Sequence, residues 1–411
     1  MPGRSLPSAP RRRPHPSGGG PGHDSRRPPL ALVRPQPRGR PRLQRGTLRA
    51  PHRRLRRLSA TRRYHPPVFG SHLSIAGAMV NALREADSLG FDTVQVFTKN
   101  QRQWKVSPLK DEDRDDWLAE QARLGWSDRT VAHDAYLINL ASPDDSPGGL
   151  REKSVALMRA ELERCEALRI PLLVSHPGAH LIKEGPLPPE ERVERGLRAI
   201  AKAYKQLFRE TRGGRATVCL ENTAGGGTTL GRSFEELARC RELILSEAGS
   251  DAEGRVAFCL DTCHALAAGY DIAAHENGDA TGRKRTREQG EALGQTMLDQ
   301  FDRLCGLAHL RVMHLNDSLG ARGSRRDRHA HIGQGLVALG AFAAVVNRPG
   351  LDRVPKILET PKENDAEGNP MDAVNLKRLK SLIRRPESGA APAPIAPARP
   401  NRVRRPGRAV R

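Results

Sequence analysis

Residues 313–335 read MHLNDSLGARGSRRDRHAHIGQG and set three histidines and two aspartates among Gly, Ser, Arg and small apolar residues. Asp327 and His329 stand two apart, so an extended backbone turns both side chains to one side. His314 closes the run Leu310-Arg311-Val312-Met313, which reads as a buried strand end. A carboxylate and an imidazole converging on one point can hold Zn²⁺ or a similar cation at roughly 2.0–2.2 Å. A polar surface loop would account for this stretch alone. The rest of the chain weighs against that, because it supplies matching groups in His133, His176, Glu221, Asp261, His264 and Glu359. Each has an ordinary alternative. Asp261 could cap a following helix, His264 could be a satisfied histidine on that helix, and Glu359 could pair with Lys362. Taken together, five histidines and four carboxylates exceed the roughly four ligands of one tetrahedral zinc. They suit two or three metals that share a bridging carboxylate.

The elements that must position these groups alternate along the chain. Strand-like runs fall at 68–73, 93–97, 130–133, 171–175, 216–220, 255–260, 308–313 and 355–358. They are apolar on both faces or rich in β-branched residues. Helical spacing follows each of them, at 77–89, 111–124, 150–168, 189–210, 233–245, 287–305, 336–346 and 372–383. Strands buried on both faces and separated by helices imply a parallel sheet covered by helices. Eight such units predict an α/β fold, a closed (β/α)₈ barrel, with an open doubly wound sheet as the alternative. The chemistry of such barrels sits where strands run out at the C-terminal face. His133, His176, Glu221, Asp261, His314 and Glu359 each fall at such a point.

The formal charge of +22 suggests nucleic acid at first sight. It lies in the ends of the chain. Residues 1–66 hold eighteen arginines against the single acid Asp24, and residues 384–411 hold eight against Glu387, which leaves the body near −2. Both ends are rich in Pro, Gly, Ala and Arg and poor in aromatics, the composition of disordered tails. The first could be a nucleic-acid-binding arm, a transit peptide, or translated upstream sequence outside the working protein. The abrupt start of the body at Pro67-Val68-Phe69-Gly70 favours the last. The expected domains are therefore a tail at 1–66, a catalytic body at 67–384 and a tail at 385–411. No apolar run reaches the roughly 18 residues that a membrane span needs. The six cysteines form no CxxC pair and fall mostly in apolar or helical runs, which fits buried free thiols and a reducing, cytoplasmic setting.

The motifs SHLSIAG (71–77), FTKNQRQW (97–104), AHDAYLINLASP (132–143), SHPGAH (175–180), CLENTAG (219–225), LDTCHALAAGYD (260–271), MHLNDS (313–318), GSRRDRHAHIGQG (323–335) and LET (358–360) are similar to those of endonuclease IV. That family of apurinic/apyrimidinic DNA-repair endonucleases is a trinuclear-zinc barrel, and the resemblance spans 68 to about 384. It implies that His133 and His176 hold one zinc, with Glu221 bridging to a second completed by Asp261, His314 and Glu359. His264, Asp327 and His329 would hold the third, and Mn²⁺ is possible at one site. Glu221 would orient or deprotonate the attacking water. The implied substrate is double-stranded DNA with an abasic site, cut on its 5′ side to leave a 3′-hydroxyl and a 5′-deoxyribose phosphate. Arg102, Tyr136 and Leu137 match the residues the family inserts at the lesion, and the chain is expected to act as a monomer. Arg322, Arg325, Arg326 and Arg328 are either phosphate contacts or an ordinary basic loop. Gln334 departs from the Glu that many members carry in the IGxG motif. The competing reading is a metal-dependent sugar isomerase or epimerase, for which Glu221, Asp261, His314 and Glu359 would suffice.

Overall fold

The structure is a computed structural model that describes residues 65–384. The expectations for the two basic tails fall outside the described residues, apart from positions 65 and 66. Seven barrel strands come first: β1 (Phe69–His72), β2 (Thr93–Phe97), β3 (Val131–His133), β4 (Leu172–Ser175), β5 (Thr217–Glu221), β6 (Val256–Asp261) and β7 (Leu310–His314). A small antiparallel ribbon of β8 (Asp317–Ser318) and β9 (His329–Ala330) intervenes before β10 (Lys356–Leu358). The eight barrel strands pair in parallel, and β10 pairs with both β7 and β1, which closes the ring and rules out the open sheet.

Helices cover the outside: α1 (Val80–Ser88), α2 (Asp111–Leu124), α3 (Leu150–Ala167), α4 (Pro189–Glu210), α5 (Phe234–Ala248), α6 (Thr262–Ala268), α7 (Arg287–Leu304), α8 (Leu339–Val346) and α9 (Met371–Ser381). On α4, Leu197, Ile200, Ala201, Tyr204, Leu207 and Phe208 recur at helical spacing and are all buried. Pro189 and the acids Glu190 and Glu191 in its first turn are the residue types a helix N-terminus favours. A capping box of Thr286 and Gln289 starts α7. α7 lies so close to α8 that a Cβ on Gly340 would overlap the Arg287 carbonyl.

Two helices start later than their apolar spacing predicts, for local reasons. Gly77 sits at a φ of +82°, so α1 begins only at Val80. The residues before α8 are committed elsewhere: Leu336 N–H donates to Ser318 O, Val337 N–H to Asp317 and Ala338 N–H to Ile272 O. All six cysteines are buried free thiols, as expected.

Candidate metal centre

Successive side chains along a strand point to opposite faces, so every second residue enters the lumen. Val131, Val174, Cys219, Cys259, Val312 and Ile357 belong to an apolar cluster that plugs it. Two residues further along each strand, on the same side, come His133, His176, Glu221, Asp261, His314 and Glu359. The two remaining strands complete this layer with His72 on β1 and Gln95 on β2, which are register partners. Reading the strand ends placed six of these positions. It singles out neither His72 nor Gln95. A glutamine midway between Val94 and Val96, in a run otherwise suited to burial, was the available signal.

The donor atoms of the nine candidates gather in three sets, each within 4.8 Å: His133, His176 and Glu221; Glu221, Asp261, His314 and Glu359; and His264, Asp327 and His329; Cys259 also lies with Glu221 and His314, and Cys263 with Asp261 and His329. Glu221 is fully buried between the first two. Its Oε2 lies 3.2 Å from His133 Nε2 and 3.0 Å from His176 Nε2, while Oε1 lies 2.9 Å from His314 Nδ1 and 3.3 Å from His264 Nδ1. Glu359 Oε2 is 3.1 Å from His314 Nδ1. The outermost set hangs on Asp327, whose oxygens each lie 3.2 Å from an imidazole, those of His264 and His329.

Asp261 does cap α6, since its Oδ1 accepts the His264 N–H at 2.7 Å. Its other oxygen accepts from Asn316 Nδ2 at 2.7 Å and faces the site. Asn316 Oδ1 also accepts the Glu359 N–H, so one asparagine ties two strands of the centre together. Glu359 does not pair with Lys362. That lysine instead holds Asp372 and Ser71, because Glu359 is turned inward among histidines.

Four of the five rings have their outer nitrogen fixed by an oxygen. His133 Nδ1 donates to Asp134 O, His264 Nδ1 to Asn222 O and His329 Nδ1 to Glu359 O, at 3.0, 2.9 and 3.1 Å. A carbonyl can only accept, so in the neutral ring the other nitrogen presents a lone pair. For His314 the fixed nitrogen is Nε2, which faces Gln95 Oε1 at 2.9 Å.

Burial disfavours charge on these rings, yet the surrounding carboxylates overcome it. His133 is pushed up to about 10 by Asp134 and Glu221, and His329 to about 9 chiefly by Asp327. Burial raises Glu221 too, but the charges of His314 and His176 hold it well below the usual carboxylate range. Metal loading of such a site must expel protons, so it weakens as pH falls. The arrangement fits metal cations. His329 Nε2 is buried without a hydrogen-bond partner and faces two carboxylates. A polar atom in that state is costly to bury unless something else meets it.

The loop that carries Asp327 is tied at its base by Asp317, a residue the sequence did not single out. Its buried carboxylate accepts the N–H groups of Ser318, Gly333, Gly335 and Val337 at 2.8–3.0 Å. A Cβ at Gly335 would lie 2.5 Å from Asp317 Oδ1, so that approach requires glycine. Among the four arginines of this loop, Arg322 pairs with Asp271 at 2.8 Å and Arg328 donates to Asp327 O. Arg325 and Arg326 make no ion pair among the described residues.

At the rim, Tyr136 is 66% exposed and meets the Phe97 ring edge-on at 5.3 Å between centroids. Leu137 is half-buried against the core, and Arg102 and Trp104 are exposed. A hollow of about 240 Å³ opens beside His133, Tyr136, His176 and Thr223.

A family described as "Xylose isomerase-like TIM barrel" matches residues 83–382. The chain is 43% identical over 319 residues to "Probable endonuclease 4" of Chloroflexus aggregans, covering 77% of this chain and 98% of that protein. The chain belongs to the endonuclease IV family. A Trichlorobacter lovleyi relative of the same name is 41% identical over 313 residues, covering 76% of this chain and 98% of that one. Among solved structures, endonuclease IV from Thermus thermophilus superposes with a TM-score of 0.58 at 34% identity, covering 77% of this chain and 98% of its own. A D-tagatose 3-epimerase-like protein reaches a TM-score of 0.52 at 16% identity, with 77% of this chain and 96% of its own covered, which shows a shared fold alone. The endonuclease IV relatives thus align along nearly their whole length with the part of the chain that builds the barrel.

Proposed function

We propose that this member of the endonuclease IV family, with residues 67–384 as its catalytic body, is a zinc-dependent enzyme that hydrolyses the phosphodiester 5′ to an abasic site in duplex DNA. The observation that carries the reading is the convergence of nine ligand-type side chains into three sets around one buried carboxylate, Glu221. His133, His176 and Glu221 would hold one ion. Glu221, Asp261, His314 and Glu359 would hold the second, and His264, Asp327 and His329 the third. Bound there, such ions make water a usable nucleophile near neutral pH and offset charge on the phosphate oxygens.

The chain's own residues supply the rest. Glu221 stands between two sets, so it orients the attacking water or takes its proton. Asn316 and Asp317 fix the carboxylates and the loop that present the outer ligands. Tyr136, Leu137 and Arg102 would fill the gap left by the missing base, while an abasic nucleotide turns out of the helix at low cost because it has no base to unstack. The products are a 3′-hydroxyl and a 5′-deoxyribose phosphate, and the working unit is a monomer.

The test is elemental analysis of the purified protein beside cleavage of a duplex with one abasic site. About three metals per chain, mostly zinc, are expected from the tetrahedral demand of each set. One metal or none would sink the three-ion reading. A sugar isomerase would need only the four-residue set that includes Glu359, and that set does converge. Turnover of a free ketose by the loaded protein, with abasic DNA left intact, would favour it instead.

A further inference from the structure

We propose that Gln95 is a positioning residue that fixes His314 in the Nε2–H form, so that Nδ1 is the atom offered to the cation. This rests on the metal reading of the site. Gln95 lies on β2, where Val94 and Val96 pack outward into the core and the glutamine, fully buried, enters the lumen. It reaches across the barrel, and both ends of its amide are used. Oε1 meets His314 Nε2 at 2.9 Å, while Nε2 meets Glu359 Oε1 at 2.6 Å and His72 Nδ1 at 2.9 Å.

The orientation of the amide follows from chemistry. An ionised carboxylate only accepts hydrogen bonds, so the NH₂ end must face Glu359. The oxygen is thereby committed to His314, whose Nε2 must then carry the proton. The ring's lone pair is left on Nδ1, which points at Glu221 Oε1 and Glu359 Oε2 at 2.9 and 3.1 Å. Three other rings of the centre get the same service from backbone carbonyls. His314 gets it from a side chain, so it alone can be unset by a point substitution. The same amide donates to Glu359 Oε1 and leaves Oε2 for the site, which couples two members of one ligand set through one residue. Outer partners of this kind commonly change metal affinity by about 10–100-fold.

The experiment uses the full chain, its Gln95→Met variant, which keeps bulk, and Gln95→Glu, which keeps shape. Zinc retention is followed against a graded chelator, and ring-nitrogen NMR of ¹⁵N-histidine protein reads the His314 tautomer. Gln95→Met should release one zinc at about 10–100-fold lower chelator activity while the others stay. Its His314 signal should lose the fixed Nε2–H pattern. Gln95→Glu should be worse than Gln95→Met despite its closer shape, since a carboxylate there opposes Glu359. A merely structural role predicts the reverse order, and that order overturns the proposal. So does an unchanged His314 pattern in Gln95→Met with wild-type zinc retention. If the wild-type chain takes up no metal, the metal reading fails separately. The tautomer readout then decides for Gln95 alone: a fixed Nε2–H pattern that Gln95→Met abolishes sustains its role, and a pattern indifferent to the substitution removes it.

Discussion

Two adjacent layers of the barrel lumen make opposite demands on the chain. The lower one, with Val131, Val174, Cys219, Cys259, Val312 and Ile357, is buried and apolar, and only the Cys259 thiol reaches up to Glu221 and His314. The upper one begins two residues on and holds histidines and carboxylates, most of them buried, that cannot satisfy one another without a cation or protons. One step along the strand, about 7 Å, thus separates the part that keeps the barrel closed from the part proposed to do chemistry. Stability and activity should therefore respond to different substitutions on the same strand.

The sharpest break concerns Glu221, directly above Cys219. Glu221→Gln keeps shape and burial but removes the charge shared by two sets. Incision of abasic duplex should drop by several orders of magnitude, as loss of a metal-activating carboxylate implies, with the thermal transition nearly in place. Cleavage at a near wild-type rate would dismiss the assigned role. Next comes the rim. Tyr136→Ala with Leu137→Ala removes the proposed filler and leaves all nine candidate ligands in place. Stacking contacts of roughly 1–3 kcal/mol each translate to abasic-duplex binding weaker by about one to three orders of magnitude. Hydrolysis of bis-p-nitrophenyl phosphate, which needs no extruded nucleotide, should hardly change. Equal losses on both substrates would mean that the rim substitutions disturb the centre.

The lower layer should behave in the opposite way. Ile357→Ala opens a cavity at a fully buried site and should cost about 2–5 kcal/mol of stability. Turnover per folded molecule should stay within a few-fold; a large drop in turnover at full folding would show that the two layers are not separable. The smallest effect concerns a buried charge away from the mouth. Burial lowers Lys356 to about 7, and its Nζ donates to Leu351 O and Val354 O. A base with a depressed folded pKa contributes stability above its unfolded value, about 10.4, and loses it as pH falls through about 7. Melting curves of wild type and Lys356→Met at pH 7 and 9.5 should show the wild type gaining on the variant at the higher pH. A constant difference would mean that the lysine stays charged.

The barrel was legible because its strands are short, apolar and regularly followed by helical spacing. Six members of the polar layer were legible because six charged or imidazole residues fall together at six strand ends, although each alone has an ordinary alternative. Gln95 was not, since an amide bears no charge and its partners His314 and Glu359 lie more than two hundred residues away in sequence. Asp317 was passed over for a related reason: what distinguishes it is a set of backbone donors, which composition does not display. Asp327 and His329 were readable as a pair because two-residue spacing is local. The alternative pairing of Glu359 with Lys362 falls away because proximity in sequence says nothing about which way a strand end turns.

The tie at Asp317 has a consequence for how the family can vary. Both ends of the excursion from 317 to 337 converge on one carboxylate, while its tip is tied separately, with Gly323 N–H donating to Leu266 O and Arg325 N–H to Ala267 O. Closing a longer loop over a fixed base costs little, about 0.6 kcal/mol per doubling of its length. A change of length at the tip, 321–326, must therefore keep or replace the ties of Arg322, Gly323 and Arg325 to Gly278, Leu266 and Ala267, and must return Asp327 and His329 to the ribbon in the same register.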